Sequence, residues 1–327
     1  MKITVNNKPL EVSGQEPLIE VLRRAGCHVP SLCYNAEAEH RASCMVCVVR
    51  NAANGRMLPS CSTYPTEGMQ IETDTDEVLG MRRTSLELLL SDHRADCEAP
   101  CTVVCPNHLD VAQLILYYDR GQMAQAQALL QSVFDLQNLP CQTCRGGCEK
   151  ACRRGTLDEA VQIRDIIRQV AAYKGASATT DIALLSHSNT SKEAFSSRLG
   201  RYSEAEKAWL KEVYTQPSRC LHCACEGSST CKLRALATEA RIKSPRFGVS
   251  SSLPVKEVQH VNGRLYFEPA KCIRCGLCVY NSQDGFTFQH RGFDMRVVIP
   301  EESKRRVSED VAELCPTGAL YLKNKWM

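Results

Sequence analysis

His28-Val29-Pro30-Ser31-Leu32-Cys33 opens a stretch that runs on through Cys44-Met45-Val46-Cys47 and closes at Cys61. Its spacing is Cys33-x10-Cys44-x2-Cys47-x13-Cys61. Four thiolates are what a [2Fe–2S] cluster needs, and a close Cys-x2-Cys with two more distant cysteines is a spacing that such clusters use. Ala42 and Ser43 are small, so the loop backbone can approach inorganic sulfide and donate its N–H groups. A four-cysteine zinc site is the competing reading.

The flanking sequence gives that loop a frame. Lys2–Val5 and Pro9–Val12 alternate as a hairpin around Asn6-Asn7. Pro17 opens an amphipathic helix with Leu18, Val21 and Leu22 on one face, and Gly26 ends it. Val46–Arg50 and Met69–Thr73 read as further strands. The order strand, strand, helix, cysteine loop, strand predicts a β-grasp domain over residues 1–80.

Twenty cysteines in 327 residues are the compositional outlier. Lys+Arg is 40 against 37 Asp+Glu, a balance that argues against a nucleic-acid partner, and the run Lys304-Arg305-Arg306 reads as a solvated face. No apolar run approaches the length needed to span a bilayer, so no direct membrane insertion is expected. Met1-Lys2-Ile3-Thr4-Val5 begins as a strand, without a basic and apolar leader, which predicts a cytoplasmic protein. Thiols stay reduced there, and clustered cysteines are metal ligands or redox centres rather than disulfides.

All but one of the remaining cysteines also fall into groups. Residues 81–173 are helical in pattern and carry Cys97, Cys101 and Cys105, then Cys141, Cys144, Cys148 and Cys152. Helices are expected over Val78–Leu90, from Asp110 through Tyr118 to a stop at Gly121, over Gln122–Phe134, and from Thr156 through Val170. Residues 174–219 read as a Ser/Thr/Ala/Gly-rich linker and the short helix Glu204–Tyr214. Cys220, Cys223, Cys225 and Cys231 are close enough in sequence to close on one centre, a [4Fe–4S] cluster or zinc, within a segment 220–257. Residues 258–327 carry hairpin signals at Asn262-Gly263 and Arg291-Gly292. They also carry Cys272-x2-Cys275-x2-Cys278 with a remote Cys315-Pro316, a strong [4Fe–4S] signature. Gly276 allows tight wrapping, and Pro316 keeps Cys315 out of helical geometry. Asn281 and Ser282 stand where a second cluster would need a cysteine, so one cluster fits. Cys27 is left over and reads as an apolar core thiol.

Two resemblances refine this. The loop from His28 to Cys33, the pair Cys44 and Cys47, Cys61, and the helix Gly80–Leu90 leading to His93-x3-Cys97 resemble the N-terminal iron–sulfur region of the complex I large iron–sulfur subunit, shared with NAD-linked hydrogenases and formate dehydrogenases. In that family the corresponding His and Cys ligate a [4Fe–4S] cluster. A surface histidine at a helix end is the alternative for His93. After Cys97 the chain departs from that family's Cys-x2-Cys-x5-Cys. Cys97–Pro106, Leu109-Asp110-Val111, and Leu139-Pro140-Cys141 to Cys152-Arg153-Arg154-Gly155 are instead similar to the helical two-[4Fe–4S] domain of the glutamate synthase small subunit, also carried by dihydropyrimidine dehydrogenase. That likeness implies ligands exchanged between the two segments. His93, Cys97, Cys101 and Cys152 would hold one cluster, and Cys105, Cys141, Cys144 and Cys148 the other. On a continuous helix Cys97, Cys101 and Cys105 would share one face over about 12 Å, too far for one cluster, as would Cys144, Cys148 and Cys152.

No Gly-x-Gly-x-x-Gly after a strand, no P-loop and no catalytic triad is evident, so no catalytic residue is assigned. The expectation is an α+β multidomain iron–sulfur protein with one [2Fe–2S] and four [4Fe–4S] clusters, noncatalytic by itself. The resemblance implies a soluble oxidoreductase complex. In it the chain would pass single electrons between a flavoprotein subunit that oxidises NAD(P)H and a second redox subunit, such as a hydrogenase, a formate dehydrogenase or another reductase. An iron–sulfur or zinc scaffold, or a redox sensor without electron through-flow, is the competing class. Clusters of this number would turn the formal charge of +3 to about −6. Anaerobic metal analysis separates the two classes: about 18 Fe per chain with matching sulfide is expected, and four or more zinc ions would overturn the relay.

Overall fold

Ile3 and Val5 alternate with polar neighbours, and a chain patterned this way buries one face when it pairs as a strand. The computed structural model describes residues 1–94, 96–176, 194–195, 202–227, 229–243, 246–247 and 257–323. Strands β1 (Lys2–Val5) and β2 (Lys8–Glu11) pair antiparallel with Val5 opposite Lys8. The two-residue turn between them has both Asn6 and Asn7 at positive φ, +46° and +64°, the turn type whose twist matches a hairpin. Helix α1 (Leu18–Arg24) buries Leu18, Ile19, Val21 and Leu22. It ends on Gly26 at φ +81°, with the Gly26 N–H on the Arg23 carbonyl and the Cys27 N–H on that of Leu22. This is a paired C-terminal cap, and it sets Cys27 half-buried against the same core.

The sheet continues with β3 (Val48–Asn51), β4 (Arg56–Pro59) and β5 (Gln70–Glu72), in the order β2-β1-β5-β3-β4, with β1 and β5 parallel. The third strand starts two residues later than expected, because Met45 takes φ +55° and holds Cys44 to Cys47 in a turn. The fourth strand escaped the sequence reading, although Asn54-Gly55, with Gly55 at φ +69°, is a hairpin signal. Helix α2 (Asp76–Ser91) is capped by the Thr75 hydroxyl, which accepts the Val78 N–H.

The helical region follows. It holds α3 (Pro100–Val103), α4 (Val111–Asp119), α5 (Met123–Gln131), α6 (Gly147–Lys150), α7 (Ile163–Ala171) and α8 (Glu204–Val213). The core of α4, α5 and α7 is built from Leu114, Ile115, Leu129, Leu130, Ile163 and Ile167. Gln127 closes the end of α7, donating from its amide to the carbonyls of Val170, Ala171 and Tyr173. The two Cys-x3-Cys-x3-Cys runs are not continuous helices. Cys101 lies in the four-residue α3 with Cys105 beyond it, and Cys148 lies in α6 with Cys152 beyond it. The expected helix from Thr156 begins only at Ile163. Arg154 takes the Asp158 carboxylate with two bonds of 2.7 Å, and Asp158 also accepts the Glu159 N–H, so the segment runs as a clamped loop. Most of the linker expected over 174–203 lies outside the described residues.

The chain then gives α9 (Lys232–Glu239), β6 (Gln259–Asn262), β7 (Leu265–Phe267), α10 (Leu277–Asn281), β8 (Thr287–Gln289), β9 (Arg296–Val298), α11 (Val311–Leu314) and β10 (Leu320–Leu322). The last strand pairs with β7, so both expected hairpins form and one gains a third strand.

Contacts divide the chain into two compact units, Met1–Arg94 with Thr230–Met327, and Ala95–Ser229. In the first, the N-terminal sheet domain and the C-terminal segment pack as one body. Asn281 accepts the Glu39 N–H at 3.0 Å and donates to its carbonyl at 2.7 Å, and the Arg41 guanidinium lies 4.8 Å from the Tyr280 ring centre. Buried Arg82 on α2 donates twice to the Val48 carbonyl, at 3.1 and 2.9 Å, and so fastens the helix where β3 leaves the cysteine loop. Arg82→Ala removes two charge-assisted bonds and strands a buried carbonyl, so chemical denaturation is expected to show a loss of about 2 kcal/mol.

Candidate iron–sulfur centres

Cys33, Cys44, Cys47 and Cys61 are each at most 4% exposed and come together at the edge of the first sheet. The Cys33 and Cys44 sulfurs are 3.4 Å apart, and the Ser43 N–H points at the Cys33 sulfur from 3.5 Å. Side chains before and within the segment hold it. Arg23 donates to the Val29 carbonyl and the Ser31 hydroxyl, His40 stacks edge-on against Tyr34 and meets the Cys61 carbonyl, and the Ser60 hydroxyl donates to the Cys47 carbonyl at 2.7 Å. The electrostatics are those of thiols forced together. Hydrogen bonds from Cys44 and Cys61 hold the Cys33 thiol far below its usual range, and a bond from Cys61 brings Cys47 down to about 6. Donating those bonds, together with burial, drives Cys44 and Cys61 far up. Four such sulfurs cannot all be thiolates unless a cation sits among them.

Cys272, Cys275, Cys278 and Cys315 are the second candidate group of this unit, and their sulfurs lie near one another. Arg274 at φ +56° turns its N–H onto the Cys272 sulfur, at 3.3 Å. Gly276 at φ +83° starts α10, and Cys315, held extended before Pro316, lies 3.6 Å from the Thr317 hydroxyl. Thr317 in turn donates to the Lys271 carbonyl. Burial pushes the Cys272 thiol up to about 12 and Cys275 and Cys278 further, and the Cys33 thiol adds to the rise at Cys275. The two centres are therefore electrostatic neighbours.

His93 is buried in the same unit, and Cys231 caps α9 by accepting the Arg234 N–H on its sulfur at 3.4 Å. Burial holds the His93 imidazole down to about 4, so the ring is neutral. Its Nδ1 lies 3.0 Å from the Lys271 carbonyl, which can only accept, so Nδ1 carries the proton and Nε2 keeps a lone pair for a metal.

The helical unit holds the rest. Cys141 and Cys148 are each pushed up to about 11 by burial, with the sulfurs of Cys105 and Cys144 close to both. Arg164 donates to the Cys144 carbonyl and pairs with Glu149, across the turn made by Gly146 at φ +68°. Burial drives the Cys101 thiol well up, and the sulfurs of Cys220, Cys223, Cys152 and Cys148 lie near enough to oppose its ionisation. Cys97 accepts the Cys225 N–H on its carbonyl at 3.3 Å. No disulfide joins any of these cysteines. Among the described residues no group of three or more His, Cys, Asp or Glu is arranged for a single metal ion. An iron–sulfur cluster spreads its ligands over several irons, and buried thiols ringed by backbone N–H groups are the donor set it takes.

Comparison with known proteins agrees with this chemistry. Residues 1–76 match the family described as 2Fe-2S iron-sulfur cluster binding domain, and residues 87–179 match dihydropyrimidine dehydrogenase domain II, 4Fe-4S cluster. The chain therefore carries an iron–sulfur domain of each kind. It is 32% identical to HndD, from the NADP-reducing hydrogenase of Solidesulfovibrio fructosivorans, over 166 residues, 46% of this chain and 27% of that one. It is 24% identical to the G 2 subunit of the NADH-quinone oxidoreductase of Rhizobium meliloti over 198 residues, 55% of this chain and 22% of that one. Identity to the gamma subunit of the NAD-reducing hydrogenase HoxS of Cupriavidus necator is 27%, over 30% of this chain and 41% of that one. The chain thus spans less than half the length of these relatives. Its fold resembles a chain in the crystal structure of an NAD+-reducing [NiFe]-hydrogenase in the H2-reduced state, with a TM-score of 0.53 over 99% of this chain and 88% of that one, at 18% identity.

Gly276 supplies a sharp test of the second centre. A Cβ there would sit 2.6 Å from a Tyr280 ring carbon and 3.2 Å from Phe288, on a backbone that side chains rarely adopt. Gly276→Ala is expected to lower the iron content of the anaerobically purified chain by about 4 per chain. If the loop holds a cluster, Cys275→Ala must lose the same iron; a full complement of iron in that variant would show that the loop does not hold a cluster.

Proposed function

We propose that this chain is an iron–sulfur electron-transfer subunit of a multisubunit oxidoreductase. It relays single electrons between a flavoprotein subunit that oxidises NAD(P)H and a second redox subunit, such as a hydrogenase, a formate dehydrogenase or another reductase. The finer reading assigns residues 1–80 to a β-grasp [2Fe–2S] domain held by Cys33, Cys44, Cys47 and Cys61. Residues 81–173 form a helical domain with two [4Fe–4S] clusters, and 258–327 a ferredoxin-like [4Fe–4S] module held by Cys272, Cys275, Cys278 and Cys315. Segments 174–219 and 220–257 link them and bring the remaining cysteines, for one [2Fe–2S] and four [4Fe–4S] clusters in all. Such clusters supply carriers that accept and release one electron at a time.

The observation that carries this reading is that the first cysteine loop and the segment after Cys278 pack together in one compact body, through Asn281 on Glu39 and Arg41 on Tyr280. A scaffold or sensor needs one centre, whereas a relay needs neighbours. The protein's own contribution is positional. Asn281 and Glu39 hold the two loops in register, Arg41 covers Tyr280, and the buried Lys271–Glu268 pair, 2.5 Å apart, stiffens the backbone that leads into Cys272. Apolar burial keeps water from the sulfurs, and backbone N–H groups of Ser43 and Arg274 stabilise the negative charge that an added electron brings. Twenty cysteines without a disulfide support a reducing, cytoplasmic setting, and no helix among the described residues is long and apolar enough to cross a membrane.

Anaerobic purification of the tagged chain from its native host, followed by mass spectrometry of what accompanies it, tests the proposal. A flavoprotein together with a metal-dependent oxidoreductase is the expected result. A solitary chain still loaded with iron would make it a diffusible carrier or a sensor.

A further inference from the structure

In the helical unit one cavity has Cys101, Cys152, Cys220 and Cys223 in its wall, together with Ile115 and Ile163. These cysteines come from three separated stretches of chain. Cys220 and Cys223 also lie beyond residue 179, where the match to the 4Fe-4S domain ends.

The Cys220-Leu221-His222-Cys223 loop has the geometry of a cluster loop. His222 is at φ +44°, and its N–H points at the Cys220 sulfur from 3.3 Å. The Cys272-x2-Cys275 loop repeats this arrangement: Arg274 is at φ +56° and its N–H meets the Cys272 sulfur at 3.3 Å. A left-handed residue other than glycine costs roughly 1–2 kcal/mol, so its recurrence at the same place in two cysteine loops needs a cause. Turning the N–H groups inward onto sulfur supplies one.

The loop is also fastened to the helical unit on both sides. Ser218 donates to Asp119 from its backbone N–H at 3.0 Å and from its hydroxyl at 2.6 Å. Asp119 also meets the His222 ring at 3.3 Å. Arg154 donates to the carbonyls of Tyr214 and Arg219 at 3.1 and 3.3 Å, and Leu221 is buried among Leu157, Tyr202 and Leu210. Burial raises the Cys220 thiol, and Cys223 and Cys152 lie near it, which agrees with the cavity wall.

Resting on the iron–sulfur reading above, we propose that Cys101, Cys152, Cys220 and Cys223 ligate one [4Fe–4S] cluster, so that a loop far along the chain completes the helical domain. Cys105, Cys141, Cys144 and Cys148 ligate its neighbour. This partition differs from the sequence reading, in which resemblance puts Cys101 and Cys152 with His93 and Cys97, and closeness in sequence groups Cys220 and Cys223 with Cys225 and Cys231. It leaves His93, Cys97, Cys225 and Cys231 outside both sets.

The two partitions differ in additivity. Wild type, Cys101→Ala, Cys220→Ala and the double variant are purified anaerobically, and iron, sulfide and the electron paramagnetic resonance of the reduced chains are measured. Each single variant is expected to lose about 4 Fe and the same resonance, and the double variant to lose no more than either single. A double variant that loses about twice as much, with two resonances gone, places the residues on different clusters and overturns the proposal. The [2Fe–2S] resonance reports that a variant has folded. Where it is absent, the wild-type chain decides: during stepwise removal of iron by a chelator, Cys101, Cys152, Cys220 and Cys223 should become open to alkylation in one phase, and separate phases overturn the assignment. A wild-type chain without iron or sulfide instead sinks the iron–sulfur reading itself, before any variant is compared.

Discussion

Buried thiols in contact set a conflict that the rest of this protein is arranged around. A thiolate in apolar surroundings is costly, and a second one beside it is costlier still. At Cys33, Cys44, Cys47 and Cys61 the conflict appears as an uneven division of protons, with two sulfurs driven down and two driven up by the bonds between them. An iron–sulfur cluster held by these sulfurs would remove the conflict by supplying positive charge, and the Ser43 N–H already points at the Cys33 sulfur. The N-terminal sheet and the helical core both serve to keep such groups buried and close.

Keeping them there needs a particular backbone. Met45, His222 and Arg274 take left-handed conformations inside Cys-x2-Cys loops, and Gly146 and Gly276 do the same beside the other cysteines. Side-chain contacts fasten the segments that carry these turns. Arg23 and His40 grip the first loop, Arg164 the turn at Gly146, Asp119 and Arg154 the loop at Cys220, and Thr317 the backbone around Cys315 and Lys271. The ligand-bearing segments α3 and α6 are only four residues long, while the helices that frame them run to nine. Regular structure supplies the frame, and irregular structure supplies the ligands.

The function follows from adjacency more than from any one residue. No group in the described residues has the arrangement of a catalytic nucleophile with its base, and the nearest thing to a mechanism is the spacing of cysteine centres. The relatives that share parts of this chain are subunits of NAD(P)-linked hydrogenases and NADH-quinone oxidoreductases.

Much of this was legible in the chain. Asn6-Asn7, Gly26, Gly121 and Pro316 each do locally what their chemistry dictates, because turn conformations depend on neighbours in sequence. The cysteine spacings declared iron–sulfur chemistry for the same reason, since Cys-x2-Cys is a short-range geometry. Other features were not legible. The fourth strand of the first sheet has a hairpin signal but little apolar alternation, and it forms because its partner holds it. The Cys-x3-Cys-x3-Cys runs read as helix faces, yet their chains leave the helix after one turn. Which sulfurs meet is decided in space: Cys101 and Cys220 are brought to one cavity only when α4 presents Asp119 to Ser218 and Arg154 reaches the Arg219 carbonyl. Sequence alone determined that this protein gathers thiols for iron, because ligand chemistry and turn geometry are local. Tertiary structure alone decided which thiols line one cavity, because that depends on packing between segments whose separation along the chain carries no record of their distance in space.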